Sequence, residues 1–205
     1  MRAQIERGAI ILCGGRSIRM GTDKALLPFG VESMLERTVR IVSKSVNVQN
    51  IVLVSAADQQ LPQLPAGLQI VQDQHPFQGP LAALVAGLDL HEGRTAAVFA
   101  TGCDTPLLEP ALIDKLFDSL GDFVAVVPAD EQRKYPLTAV YSTEILKVAK
   151  EQLVNGTRSL HGLLDQVRTH CIDRESLREF DPKLLSFLNL NTREEYESAL
   201  KQSQL

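Results

Sequence analysis

Short apolar runs alternate along this chain with stretches whose apolar residues recur at helical spacing, and that alternation limits the possible folds more than any other feature. The runs at 9–12, 51–55, 68–71, 96–100, 123–127, 137–141 and 187–190 are short enough for strands and are bounded by turn-forming residues. Between them, Leu35, Thr38, Val39 and Val42 fall at i, i+3, i+4 and i+7, and Leu81, Leu84, Val85 and Leu88 repeat the pattern. Leu112, Leu116 and Leu120 form a third stripe, and Leu160, Leu163, Leu164 and Val167 a fourth behind a capping Ser159. Thr192 to Glu195 reads as a capping box that opens a last helix with Tyr196 and Leu200 on its inner face. The pattern predicts an α/β protein, a three-layer sandwich around a mainly parallel, mixed sheet of Rossmann-like type. No linker, repeat or low-complexity tract divides the sequence, so residues 1–205 read as a single domain. In such folds ligands bind beyond the carboxyl ends of the strands, here in the loops after Leu12 and after Ala100.

Composition narrows the functional classes. At 44% hydrophobic and 22% charged residues the chain has the balance of a soluble globular protein. A net charge of −4 argues against non-specific nucleic-acid binding but leaves room for one anion in a local basic loop. No apolar run approaches membrane-spanning length, and the polar N-terminus does not suit a signal peptide. Cys13, Cys103 and Cys171 are odd in number and far apart, which suggests neither a zinc site nor a disulfide framework. A reducing, cytoplasmic location is the simplest expectation.

The segment from Ala9 to Lys24 carries the densest chemistry. Its apolar run ends in Gly14-Gly15, where the backbone can turn and approach a ligand with no Cβ in the way. Leu12, Cys13 and Gly14 are expected to leave the strand with backbone groups free. Arg16, Arg19 and Lys24 follow, and exposed N–H groups with fixed cations suit a polyphosphate. The alternative is an ordinary strand-to-loop connection with solvated charges. The segment is not a Walker loop, because Gly15 and Gly21 are six apart and Thr22-Asp23-Lys24 follows. Nor does it have the glycine spacing of a dinucleotide fingerprint.

Two later segments add carboxylates. Asp73 follows a strand, and Gly79-Pro80 starts a helix whose free N–H groups and dipole would face the ligand cleft. Asp73 also reads as a turn carboxylate. In Thr101-Gly102-Cys103-Asp104-Thr105-Pro106, Asp104 stands at a strand's carboxyl end, where a magnesium-nucleotide enzyme needs a hard oxygen ligand. Its other reading is a cap for the helix near 107–120. Further on lie Pro136–Tyr141, Gly156–Leu160 and Asn189–Thr192; Asn191 and Thr192 are turn and cap residues by type.

Leu12–Lys24 is similar to the signature loop of nucleotidyltransferases, Leu-x-Gly-Gly-x-Ser-x-Arg-Met-Gly-x-Asp-Lys. With Asp73 and Gly79–Leu81, Cys103–Pro106, Pro136–Tyr141, Gly156–Leu160 and Asn189–Thr192, the chain resembles the molybdenum cofactor guanylyltransferases, the MobA family. The resemblance implies a nucleotidyltransferase fold and transfer of GMP from GTP to molybdenum-carrying molybdopterin, releasing diphosphate. It implies that Leu12, Cys13, Gly14 and Gly15 line the GTP site, that Lys24 and Asp73 bind GTP, and that Asp104 binds GTP and Mg²⁺. Arg19 would meet the β- and γ-phosphates, and Asn189 and Asn191 would lie on the pterin side. Molybdoenzymes or their chaperones would receive the product. Cys13 departs from the family's usual Ala, and Ser55 from an Asn that some members carry; a thiol there is either reactive or simply a small buried residue. A sibling cytidylyltransferase acting on the pterin or a sugar phosphate, and a non-catalytic nucleotide-binding module, remain open at this point.

Overall fold

A computed structural model of the chain describes residues 6–14, 23–73 and 79–203. Seven strands form one sheet in the order β5 (Gln69–Gln72), β4 (Ile51–Ser55), β1 (Arg7–Leu12), β6 (Ala97–Gly102), β8 (Thr138–Ser142), β7 (Ala125–Ala129), β9 (Thr169–Asp173). All the pairings are parallel except those of β8, which runs against β6 and β7. A short antiparallel pair, β2 (Pro28–Phe29) and β3 (Glu32–Ser33), stands apart.

The two-residue period of the strands sorts side chains into two apolar layers. From β1, Ala9, Ile11 and Cys13 face one layer with Leu35 and Val39 of α1 (Met34–Val42) and Leu112 and Leu116 of α3 (Pro110–Asp118). Ile10 and Leu12 face the other, with Leu81, Leu84 and Leu88 of α2 (Pro80–Asp89) and Ile145 and Ala149 of α4 (Ile145–Val154). Leu160, Leu163 and Leu164 of α5 (Leu160–Leu164) complete it. Each fully buried Leu or Ile contributes roughly 1.5–3 kcal/mol, so both layers are needed to hold the central strands in place. A third cluster gathers Phe29, Met34, Leu107, Leu190 and Ala199, and joins α6 (Arg193–Ser203) to the β2–β3 pair.

The helix starts follow the expected capping chemistry. The Ser159 hydroxyl accepts from the Gly162 N–H, and Thr192 and Glu195 exchange the reciprocal bonds of a capping box. Two assignments differ. The run 187–190 is not a strand: Leu185–Phe187 is one turn of 3-10 helix, and Leu190 spends its N–H on the Asp104 carbonyl. Its apolar residues are buried by loop packing, with Phe187 against Tyr135 and Leu190 in the third cluster. The seventh strand is instead β9, a polar edge strand with only Ile172 buried. Among the described residues no helix is long and apolar enough to cross a membrane.

Candidate active site

The carboxyl ends of β5, β4, β1 and β6 share one edge of the sheet. Pairing continues one residue past β1: the N–H groups of Cys13 and Gly14 both donate to Val54 C=O (2.8 and 3.2 Å), and Cys103 N–H donates to Leu12 C=O (3.0 Å). The Cys13 carbonyl accepts from Gln59 Nε2 (3.1 Å). This corrects the expectation of free backbone groups at Leu12 to Gly14. Neighbouring strands on both sides extend the ladder beyond the strand's end, so the donors there are already engaged.

Lys24 opens a single 3-10 turn, Lys24–Leu26, whose N-cap Asp23 accepts from Ala25 N–H (3.0 Å). From there its ammonium reaches Asp104 Oδ2 (3.4 Å) and Asn191 Oδ1 (2.9 Å). Asp104 stands two residues after β6 and does not cap the following helix, whose N-cap is Glu109. Two buried threonines hold the turn beneath it: Thr105 Oγ1 donates to Gly102 C=O (2.9 Å) and lies 2.8 Å from Thr101 Oγ1. A Cβ at Gly102 would sit 2.4 Å from Asp104 Oδ1, so the carboxylate keeps this position only over a glycine. Asn191 is held in turn by Glu195, which accepts from the N–H groups of Asn191 and Thr192; those two bonds hold its carboxyl below the usual glutamate range.

Asp73 lies half-buried two strands away, its N–H donating to Ser55 C=O (2.8 Å). Ser55 itself is buried. Gly79, at φ +81°, turns the chain into Pro80 at the start of α2. Cys13 and Cys103 are both buried in the same layer; hydrogen bonding with the Cys13 thiol, then burial, pushes the Cys103 thiol well above its ordinary value.

A family model described as the MobA-like NTP transferase domain matches residues 9–171, from the first strand to the last. The chain belongs to this family. A molybdenum cofactor guanylyltransferase from Desulfosudis oleivorans is 35% identical over 93% of this chain and 92% of its own length. The fold is shared with a crystal structure titled molybdopterin-guanine dinucleotide biosynthesis protein A from Archaeoglobus fulgidus (TM-score 0.78, 21% identity, 96% and 98% of the two chains covered). It is also shared with a 2-C-methyl-D-erythritol 4-phosphate cytidylyltransferase from Thermus thermophilus (TM-score 0.70, 12% identity, 96% and 98% covered).

For this member of the MobA-like family, Lys24, Asp104 and Asn191 are bonded directly, and Leu12, Cys13 and Gly14 are tied to the neighbouring strand ends through Cys103 and Val54. Asn189 is exposed, and its carbonyl accepts from Asn191 Nδ2 (3.5 Å). Gly15 and Arg19 lie outside the described residues. Sequence reasoning missed Gln59, whose amide bridges Cys13 and Asp23. The available signal was its place in the polar loop after β4, at the same edge of the sheet. Among the described residues no group of three His, Cys, Asp or Glu side chains could hold a metal by itself.

Proposed function

We propose that this chain is a molybdenum cofactor guanylyltransferase, a single domain over residues 1–205 acting in the cytoplasm. It would transfer GMP from GTP to the terminal phosphate of molybdenum-carrying molybdopterin. An oxygen of that phosphate forms a bond to the α-phosphorus of GTP, the bond from α-phosphorus to the bridging oxygen breaks, and diphosphate leaves. The observation that carries this reading is the meeting of Lys24 and Asp104 at the ends of β1 and β6. A cation beside a carboxylate at the carboxyl ends of parallel strands supplies the kind of protein groups a metal-nucleotide needs.

The acceptor phosphate is already ionised at neutral pH, so no general base is needed. What remains is positioning two anions and offsetting the charge that grows on the leaving oxygen. Lys24 would hold the phosphates, with Arg19 and Gly15 contributing by the family motif, and Asp73 would contact the nucleotide. Asp104 fits Mg²⁺, which commonly takes one or two carboxylates and completes its shell with phosphate oxygens and water. When bound, the ion would neutralise phosphate charge. The carbonyls of Leu12 and Cys13 each retain a lone pair that can accept from the N1–H and N2–H₂ of guanine. Asn189 and Asn191 would face the pterin, and molybdoenzymes or their chaperones would take the product.

Thermal-shift titration with the four nucleoside triphosphates and Mg²⁺, followed by product analysis with molybdopterin and molybdate, tests the assignment. GTP should stabilise and react at least about tenfold better than CTP, since each unpaired buried polar group costs roughly 1–3 kcal/mol. Equal use of CTP would replace guanylyl with cytidylyl transfer. Nucleotide binding without diphosphate release would leave a binding module.

A further inference from the structure

We propose that Gln59 is a positioning residue that sets the distance between the base-contacting end of β1 and the phosphate-contacting Lys24. The inference rests on the guanylyltransferase reading and adds a residue to it. Gln59 lies half-buried in the loop after β4, and both polar atoms of its amide are engaged. Oε1 accepts from Ala56 N–H (2.9 Å), which fixes the orientation of the amide. Nε2 therefore faces two acceptors, the Cys13 carbonyl (3.1 Å) and Asp23 Oδ2 (2.8 Å), and reaches the Cys13 thiol at 3.5 Å. The second oxygen of Asp23 caps the turn that carries Lys24.

The chain Cys13–Gln59–Asp23–Ala25 is thus a continuous run of hydrogen bonds from the strand end to the lysine turn. A single 3-10 turn has little stability of its own, so outside contacts decide where Lys24 stands. Lys24 bonds Asp104 and Asn191 through a flexible side chain, whereas Asp23 holds the backbone of the turn. One hydrogen bond from Gln59 is to an ionised acceptor, the stronger kind. Loosening this link would leave the base contacts and the phosphate contacts intact individually but no longer in register.

The test uses Gln59→Glu, Asp23→Asn and the double variant, each titrated with Mg-GTP and with guanosine in a calorimeter. In Gln59→Glu a carboxylate of the same shape faces the Asp23 carboxylate. In Asp23→Asn one of two N–H acceptors becomes a donor. Each single variant should weaken Mg-GTP at least tenfold, more than it weakens guanosine, while melting within a few degrees of wild type. In the double variant the new amide at position 23 can donate to the new carboxylate at position 59, while the Cys13 carbonyl still faces an oxygen in place of the Gln59 N–H, so part of the Mg-GTP affinity should return and the combined loss should be smaller than the sum of the single losses. If Gln59→Glu does not fold, Asp23→Asn alone breaks the same link. Wild-type affinity in a folded single variant, or additive losses in the double variant, would overturn the proposal. Failure of the guanylyltransferase reading looks different: the wild-type protein itself would not bind Mg-GTP.

Discussion

Lys24 and Asp104 are separated by 80 residues in sequence, yet the ammonium of one stands 3.4 Å from the carboxylate of the other. The pair joins the segment after β1 to the segment after β6, two strands that are neighbours in the sheet. In the proposed reaction Asp104 holds Mg²⁺, so Asp104→Asn should reduce diphosphate release by far more than tenfold while the protein melts near the wild-type temperature, because a neutral oxygen anchors Mg²⁺ poorly. Retention of more than about a tenth of the rate, a difference of only ~1.4 kcal/mol, would remove Asp104 from the metal site.

Lys24→Ala tests the other half of the pair. In the proposed reaction its charge acts on phosphates and not on the base, so affinity for Mg-GTP should drop at least tenfold while guanosine affinity is nearly unchanged. Calorimetry with both ligands decides. Equal losses for the two would put the ammonium away from the phosphates.

A methyl group at Gly102 would displace the Asp104 carboxylate, because Asp104 Oδ1 lies 2.4 Å from where a Cβ would stand. Gly102→Ala should push the carboxylate aside and cost at least tenfold in activity, although residue 102 supplies no functional group. Wild-type turnover in this variant would mean that the carboxylate tolerates a different placement.

The three thiols should separate by accessibility. Cys171 is exposed, whereas Cys13 and Cys103 are buried side by side at the strand ends. Iodoacetamide on the native protein should label Cys171 first and leave Cys103 unmodified until the chain is unfolded, as mass spectrometry of peptides would show. Burial also favours the small-residue reading of Cys13 over that of a reactive thiol. Rapid native labelling of Cys13 would contradict it.

His91 provides a pH dependence. The ring is fully buried, with Nε2 3.2 Å from the Ala9 carbonyl and Nδ1 3.2 Å from Thr95 Oγ1. Burial disfavours the charged ring and holds its pKa below the ordinary 6.5. In the unfolded chain the ring takes a proton near pH 6.5 and in the folded protein it does not, so the unfolded state binds more protons. Stability should fall as pH drops through about 6.5, by at most about 1.4 kcal/mol per pH unit, until the folded pKa is reached. Denaturant melts between about pH 7.5 and 5.5, a window spanning the ordinary histidine value, should show a steeper decline in wild type than in His91→Gln. Identical slopes would show that His91 titrates alike in the folded and unfolded states, and a shallower decline in wild type would show that the folded protein favours the charged ring.

How far the sequence could be read depends on what its patterns report. Apolar periodicity reports burial. It located β1, β4 and β6, which are covered on both faces, and failed at 187–190, where Phe187 and Leu190 are buried without belonging to a sheet. It passed over β9 because an edge strand with one buried residue leaves almost no apolar signal. Lys24 and Asp104 stood out because each sits in a compact glycine-containing motif with charged residues, and the structure brings the two together. Gln59 was not, since its role arises only from contacts 46 and 36 residues away along the chain.

The bond from Leu190 N–H to the Asp104 carbonyl, and that from Lys24 to Asn191, give the site a schedule as well as a shape. During synthesis the strands β1, β4, β5 and β6 precede residue 103, and Gln59, Asp23, Thr101 and Thr105 support Lys24 and Asp104 early, yet the bonds from Leu190 and Asn191 are added only when residues 190 and 191 have been made. A nascent chain lacking that segment would carry Lys24 and Asp104 and still lack these two bonds. The last braces on Lys24 and Asp104 therefore close only after translation has run past Asn191.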